Sequence, residues 1–426
     1  MLKQKKYFNK MEDLILSSQQ IKMYTNLYID LKKFRIGDEG ANYLSTILTD
    51  CVHLSTLVLL LDNQNISSQA ASKIGFALKN SKNLSTLFLN FMNNKICSNG
   101  CSDILSSVSK FVNLSHLTLN FENNKINDED ASNLELSLDN GSKLEYLSLN
   151  FSNNEISDQF ISKIGQALQK CQSLSYLSLD FSKSKIGNIG VYNLSLGIES
   201  CIQLSTLNLN LDNTNVYSQN ASWFDVFSAC CNNLTILNLN LSKSNIGSQG
   251  AQDLGKFLAK CSKLSNLHLK LGHNQIDAFG FSSIFMSLSN CSQLSTLYLN
   301  LQNSSLKDES FQALGSGLGN CKNLQFLTLN LEFNYYFSQS SAYQLGSGLA
   351  YCSNLQHFIL LLQRNDVRFQ GVSKLISALA HCRKLYVFEL WSRECEIYEK
   401  GKKKLLKQLH KMKNLVKQFV LVYESF

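Results

Sequence analysis

LSTLVLLLDNQNI, residues 54–66, is the stretch whose reading decides the fold. Leu57, Leu59 and Leu61 recur at every second position, the period of a strand with one buried face, while Val58 and Leu60 point the other way. A short polar turn follows, centred on Gln64 and closed by Ile66. The wording then returns. LSTLFLNF at 84–91, LSHLTLNF at 114–121 and LQFLTLNL at 324–331 belong to a series that begins every 30 residues from 54 to 324 without a slip. A weaker copy, YTNLYIDL, begins at 24. After 324 one additional residue intervenes, and the pattern resumes as LQHFILLL at 355, LYVFELWS at 385 and a degenerate LVKQFVLVY at 415.

The middle position of the turn reads Gln64, Asn94, Asn124, Asn154, Ser184, Thr214, Ser244, Asn274, Ser304, Asn334, Asn365 and Cys395. Small hydrogen-bonding side chains there can satisfy turn backbone that the stack buries. The second half of each unit has helical spacing, as in Leu44 with Leu48 or Leu254 with Leu258, often opened by a glycine such as Gly40, Gly190, Gly250 or Gly280. A strand followed by a helix, repeated, places the strands parallel with right-handed crossovers and the helices on the opposite face. A lone unit leaves two apolar sides that only its neighbours can cover, so the array must be continuous and needs protected ends. The expected architecture is therefore α/β: a curved horseshoe of about thirteen repeats over 24–412. It has a concave parallel sheet and convex helices, an N-terminal cap at 1–23 and a capping strand at 413–426.

The pattern LxxLxLxLxxNxI followed by a helix resembles the leucine-rich-repeat superfamily, specifically its ribonuclease-inhibitor-like class, over about 24–412. It is two residues longer in the strand than the usual LxxLxLxxNxL, which implies a wider sheet. The proline-free, Asn-rich wording is similar to the expanded repeat families of ciliated protozoa. The resemblance implies protein binding, usually on the concave face.

Composition narrows the function classes. The formal charge of +8 is unevenly placed: residues 1–23 hold five Lys against two acids, 383–426 hold eleven Lys or Arg against five acids, and the body between is near neutral. An even basic footprint for nucleic acid along the array is absent from this pattern. No apolar run reaches the roughly 18 residues of a spanning helix, and the N-terminal segment lacks a secretory apolar core. A cytoplasmic location follows as the expectation. Of the thirteen cysteines, Cys51, Cys171, Cys201, Cys231, Cys261, Cys291, Cys321, Cys352 and Cys382 share one repeat position just before the strand, and no CxxC pair occurs. They read as free structural thiols. His268 and His273 are poorly spaced for two metal ligands on one face. LGSGLGN (314–320) and LGSGLA (345–350) fall in helix halves without the P-loop pattern, so neither a metal nor a cofactor is expected.

The outward strand positions carry the candidate binding residues. One column reads Asn90, Asn120, Asn150, Asp180, Asn210, Asn240, Lys270, Asn300 and Asn330, which a parallel sheet could stack as an amide ladder. A second contains His116, Tyr146, Tyr176 and Phe326, and a third contains Phe88, His268 and Tyr298. Exposed neighbouring aromatics on a small, uncharged surface are anchors of the kind that dominate protein interfaces. In the irregular 31-residue unit, Phe333, Tyr335, Tyr336, Phe337 and Tyr343 either plug an enlarged turn or form a protruding recognition loop; Tyr335 and Tyr336 are the candidates there. The C-terminal helix KGKKKLLKQLHKMKNL is either a solvated cap or a basic patch for an acidic partner. The expected function is a non-catalytic scaffold that binds a protein on the concave face, for instance within a cytoskeletal or ciliary assembly. The alternative is a regulator of a small GTPase, resembling the Ran-activating proteins, whose acidic C-terminal region this basic-ended chain lacks.

Overall fold

The strand alternation becomes burial in a computed structural model that describes residues 3–130, 138, 141–216, 223–412 and 414–421. Residues 422–426, the end of the expected capping strand, lie outside the described residues. The chain divides into two units, Met1–Asn215 and Val216–Phe426. In the first, the strands Lys3–Phe8, Tyr24–Asp30, Thr56–Leu60, Thr86–Asn90, His116–Asn120, Tyr146–Asn150, Tyr176–Asp180 and Thr206–Asn210 lie parallel, in chain order. From Tyr24–Asp30 onward each residue pairs with its equivalent 30 positions on, as Leu57 with Leu87 and Leu87 with Leu117. The strand Lys3–Phe8 was absent from the repeat reading. It pairs with Tyr24–Asp30 in the offset Lys3 with Tyr24, and KQKKYF has no leucine alternation to announce it.

The second unit repeats the plan with Ile236–Asn240, Asn266–Lys270, Thr296–Asn300, Phe326–Asn330, His357–Leu361, Val387–Trp391 and Lys417–Leu421, all parallel. The additional residue of the irregular unit is absorbed outside the sheet, because Phe326 pairs with His357 and the register then continues unbroken. A slip inside the strand would have turned every leucine outward.

Helices return the chain between strands. Gly37–Thr49 buries Ala41, Leu44 and Leu48; Asp158–Leu168 buries Phe160, Ile161, Ile164 and Leu168. Their apolar faces cover the inward strand leucines, and Leu57, Leu59 and Leu61 are fully buried. Neighbouring helices meet closely. A Cβ on Gly197 would lie 2.1 Å from the carbonyl oxygen of Gly165, so Asp158–Leu168 and Asn188–Glu199 touch backbone to backbone and no larger residue fits. Between the strands at 116–120 and 146–150 the described residues hold only short 3-10 turns, Asp128–Asp130 and Gly141–Lys143.

The turns explain the Asn-rich wording. Asn154 donates from Nδ2 to the carbonyls of Phe121 (2.9 Å), Phe151 (3.0 Å) and Ser152 (3.2 Å), and its Oδ1 accepts from the amides of Asn124 and Ile126, both at 3.0 Å. One buried side chain thus serves two consecutive turns. Asn94, Asn274 and Asn334 make the same set. The residue before each of these has left-handed backbone, for example Asn93 at φ 56° and Asn153 at φ 55°, where asparagine is better tolerated than most residues. No helix among the described residues is long and apolar enough to cross a membrane.

Candidate functional site

Side chains that point away from the helices form the sheet's open face, and its aromatic columns are ordered before any ligand arrives. His116, Tyr146 and Tyr176 share one register position on three adjacent strands of the first unit. Their rings stack, at 5.8 Å between His116 and Tyr146 and 4.2 Å between Tyr146 and Tyr176, the latter pair only 6° from parallel. Strand spacing near 4.8 Å brings two rings in one column within contact distance. Asn208 Nδ2 donates to Tyr176 Oη at 2.9 Å, and Ser115 Oγ lies 2.9 Å from His116 Nδ1. Stacking covers much of each tyrosine face, so both tyrosines are half-buried and present edges and hydroxyls to solvent. Burial first, then the hydrogen bond and charge of Tyr176, push the Tyr146 phenol up to about 12. It remains a hydrogen-bond donor at any physiological pH.

In the second unit His268 and Tyr298 meet at 5.6 Å, with the rings tilted by 35°. Burial, and then the charge of Lys270, lower the His268 pKa, which keeps the imidazole neutral near pH 7. Phe326, 40% exposed, meets His357 at 5.0 Å with the rings tilted by 36°, and His357 meets Tyr386 edge-on at 4.5 Å with Nε2 and Oη 2.6 Å apart. Tyr386 escaped the column reading because it stands one position before the column, where most repeats carry serine. Val387, at the outward position of that strand, is buried. Phe88 is half-buried between Val58 and Thr118 and joins no aromatic stack among the described residues.

Tyr335 and Tyr336 lie outside the sheet, in the turn of the irregular unit, each 62% exposed. Phe337 is fully buried against Phe311 at 4.6 Å and plugs the enlarged turn, while Tyr335, Tyr336 and Tyr343 project outward.

The expected amide ladder is mostly replaced by turn bonds, although Asn210 still donates to Asp180 of the same column at 2.8 Å. Asn90, Asn120, Asn210 and Asn240 each accept, through Oδ1, the amide two residues on, closing their own turns. Asn90, Asn150 and Asn210 then donate to Asp62, Glu122 and Asp180. A strand-terminal asparagine has a turn amide within reach of its Oδ1, which leaves its Nδ2 for a neighbour, as where Asn210 meets Asp180 of the same column. The actual ladder runs through the left-handed positions: Asn153 donates to Asn123 at 3.0 Å, Asn123 to Asn93 at 2.8 Å and Asn93 to Asn63 at 3.0 Å. It borders an open groove of about 700 Å³ that also carries Arg35, Lys95 and Lys125.

No disulfide joins any of the thirteen cysteines, and all but Cys97 are buried. Several thiols donate to a carbonyl of the preceding repeat, as Cys291 to Leu258 at 3.5 Å and Cys382 to Leu349 at 3.2 Å. Burial pushes Cys171 and Cys201 up to about 12, so these thiols stay protonated and unreactive. Among the described residues no group of three His, Cys, Asp or Glu is placed to hold a metal. Compared with protein-family models and with curated proteins, the chain matches none.

Proposed function

We propose that this chain is a leucine-rich-repeat solenoid of the ribonuclease-inhibitor-like class that works without catalysis, as a scaffold binding a protein partner on its open sheet face. The observation that carries the reading is the His116–Tyr146–Tyr176 stack. Rings held by one another and by Asn208 lose little conformational freedom on binding, so more of their contact energy is available as affinity. Their phenol edges offer donors on a surface whose neighbours, Ser148, Ser178 and Thr206, are small and uncharged. In pull-downs from cells that express the protein, Tyr146→Ala and Tyr176→Ala each weaken capture about tenfold or more.

A second docking element has its own support in the helix Glu399–Leu409, which buries Leu405 and Leu409 and exposes Lys403, Lys404 and Lys407. Exposed lysines affect association rate and salt dependence more than affinity. Neutralising Lys402, Lys403, Lys404 and Lys407 therefore changes capture mainly at low salt. Loss of capture in the lysine variant, with the tyrosine variants unaffected, would transfer the binding role to this helix and to an acidic partner.

A further inference from the structure

The two glycine-bearing segments have a consequence on the helix side of the second unit, away from the open sheet face. Helices Asp308–Asn320 and Gln339–Leu349 approach so closely that a Cβ on Gly348 would lie 1.9 Å from the carbonyl oxygen of Gly315. Their contact leaves an open groove of about 740 Å³ above the glycines. Tyr343 and Tyr351 border it, 60% and 68% exposed. Lys374 Nζ stands 5.8 Å from the Tyr343 ring centre and Lys322 Nζ 5.6 Å from that of Tyr351, so each ring has a cation over one face. Gln312, Ser316 and Asn320 line the groove with side-chain donors that bond nothing among the described residues. Gln344 Oε1 is buried there without a partner, and no Asp or Glu lines the groove.

We propose that this groove binds a proline-rich peptide in the polyproline II conformation, with acidic flanks. This site is independent of the open sheet face. A polyproline II helix has no internal hydrogen bonds, so its carbonyls need donors, and its prolines pack on exposed aromatic rings. Tyr343 lies in the helix Gln339–Leu349 and Tyr351 two residues past its end, eight residues on, so roughly 12 Å separates them at the helical rise of about 1.5 Å per residue. About four residues of polyproline II at 3.1 Å each cover that span. Carboxamides and a hydroxyl supply the donors. The two lysines set the flanking charge. The chain contains no proline, so neither its own segments nor a second copy can supply this ligand.

The test is calorimetric titration of the full chain with Ac-EEPPLPPLPPEE-amide, with Ac-EEGSGSGSGSEE-amide as the flexible control and cellohexaose as a polyhydroxylated alternative with the same taste for aromatic rings. The expected result is saturable binding of the proline peptide alone. Tyr343→Ala and Tyr351→Ala each weaken it about tenfold, exchanging the flanking glutamates for lysines weakens it further, and Tyr146→Ala leaves it unchanged. Both groove tyrosines are largely exposed, and matching urea-unfolding curves confirm that the variants fold. The proposal is overturned if the proline peptide fails to saturate at millimolar concentration, if the glycine–serine peptide binds equally, if the tyrosine variants bind as before, or if cellohexaose binds in place of the peptide.

Discussion

The turns at Asn154 and Ser184 occupy the same place in consecutive repeats of the first unit, yet they tie the stack together very differently. Asn154 makes five hydrogen bonds, three of them to the preceding repeat, at Phe121, Asn124 and Ile126. Ser184 has a single hydroxyl, which donates to Phe181 O within its own turn. Repeats with near-identical strands therefore differ in coupling. From Asn94 to Asn154 the turns are clamped to one another, whereas the repeat at Ser184 relies more on strand pairing and helix packing.

The largest expected effect is in the weakly clamped stretch. Leu209→Asp places an unpaired carboxylate among buried leucines and costs on the order of 4 kcal/mol or more. Hydrogen exchange measured by mass spectrometry then rises across 176–215 while 91–126 keeps its protection. Even loosening over the whole unit would break the distinction between the two kinds of turn. Asn154→Ala comes next at about 3 kcal/mol, because it strands several buried backbone groups. Urea unfolding gives its size, and faster exchange at the Asn124 and Ile126 amides gives its place. Ser184→Ala removes one bond and costs about 1 kcal/mol; a loss as large as that of Asn154→Ala would erase the comparison.

The smallest effect appears only in alkali. Cys171 and Cys201 keep their protons in the folded state to about 12, against 9.0 for an ordinary thiol. A raised thiol pKa means that the unfolded chain ionises first, so stability is level below pH 9 and declines above it. Replacing both with alanine flattens that decline in pH-dependent unfolding. Alkylation under native conditions should label half-buried Cys97 well before either.

Much of this was legible because the chain repeats its own evidence. Leu57, Leu59 and Leu61 announce strand, face and register together, and ten copies of one pattern remove ambiguity that a single copy would leave. The middle-turn asparagines could be read as backbone partners from their position alone. Other features depended on competition between bonds that spacing does not rank. Asn90 and its equivalents had a ladder or a turn amide within reach, and which one wins is decided by a local geometry that a column of letters does not contain. The tyrosine stack was visible as adjacency, but its cost in exposed area was not, since two rings in one column cover each other. Lys3–Phe8 carries no alternation, and its pairing follows from having Tyr24–Asp30 beside it.

The constant register has a consequence for how such a chain can change over time. Within each unit, outside the first strand and the irregular repeat, every strand pairs with the one 30 residues away, so each added repeat closes a loop of the same length. Loop-closure entropy rises with loop length and not with total chain length, so extending the array does not make any single step of its assembly slower. A gene copying error that duplicates or deletes a whole 30-residue period would leave both neighbours a familiar surface to pack on. An error of 29 or 31 residues survives only where a turn can take up the difference, as Phe337 does in the irregular repeat. The near-identity of consecutive repeats at the protein level would thus favour growth and shrinkage by whole units, with turns as the places where length is allowed to drift.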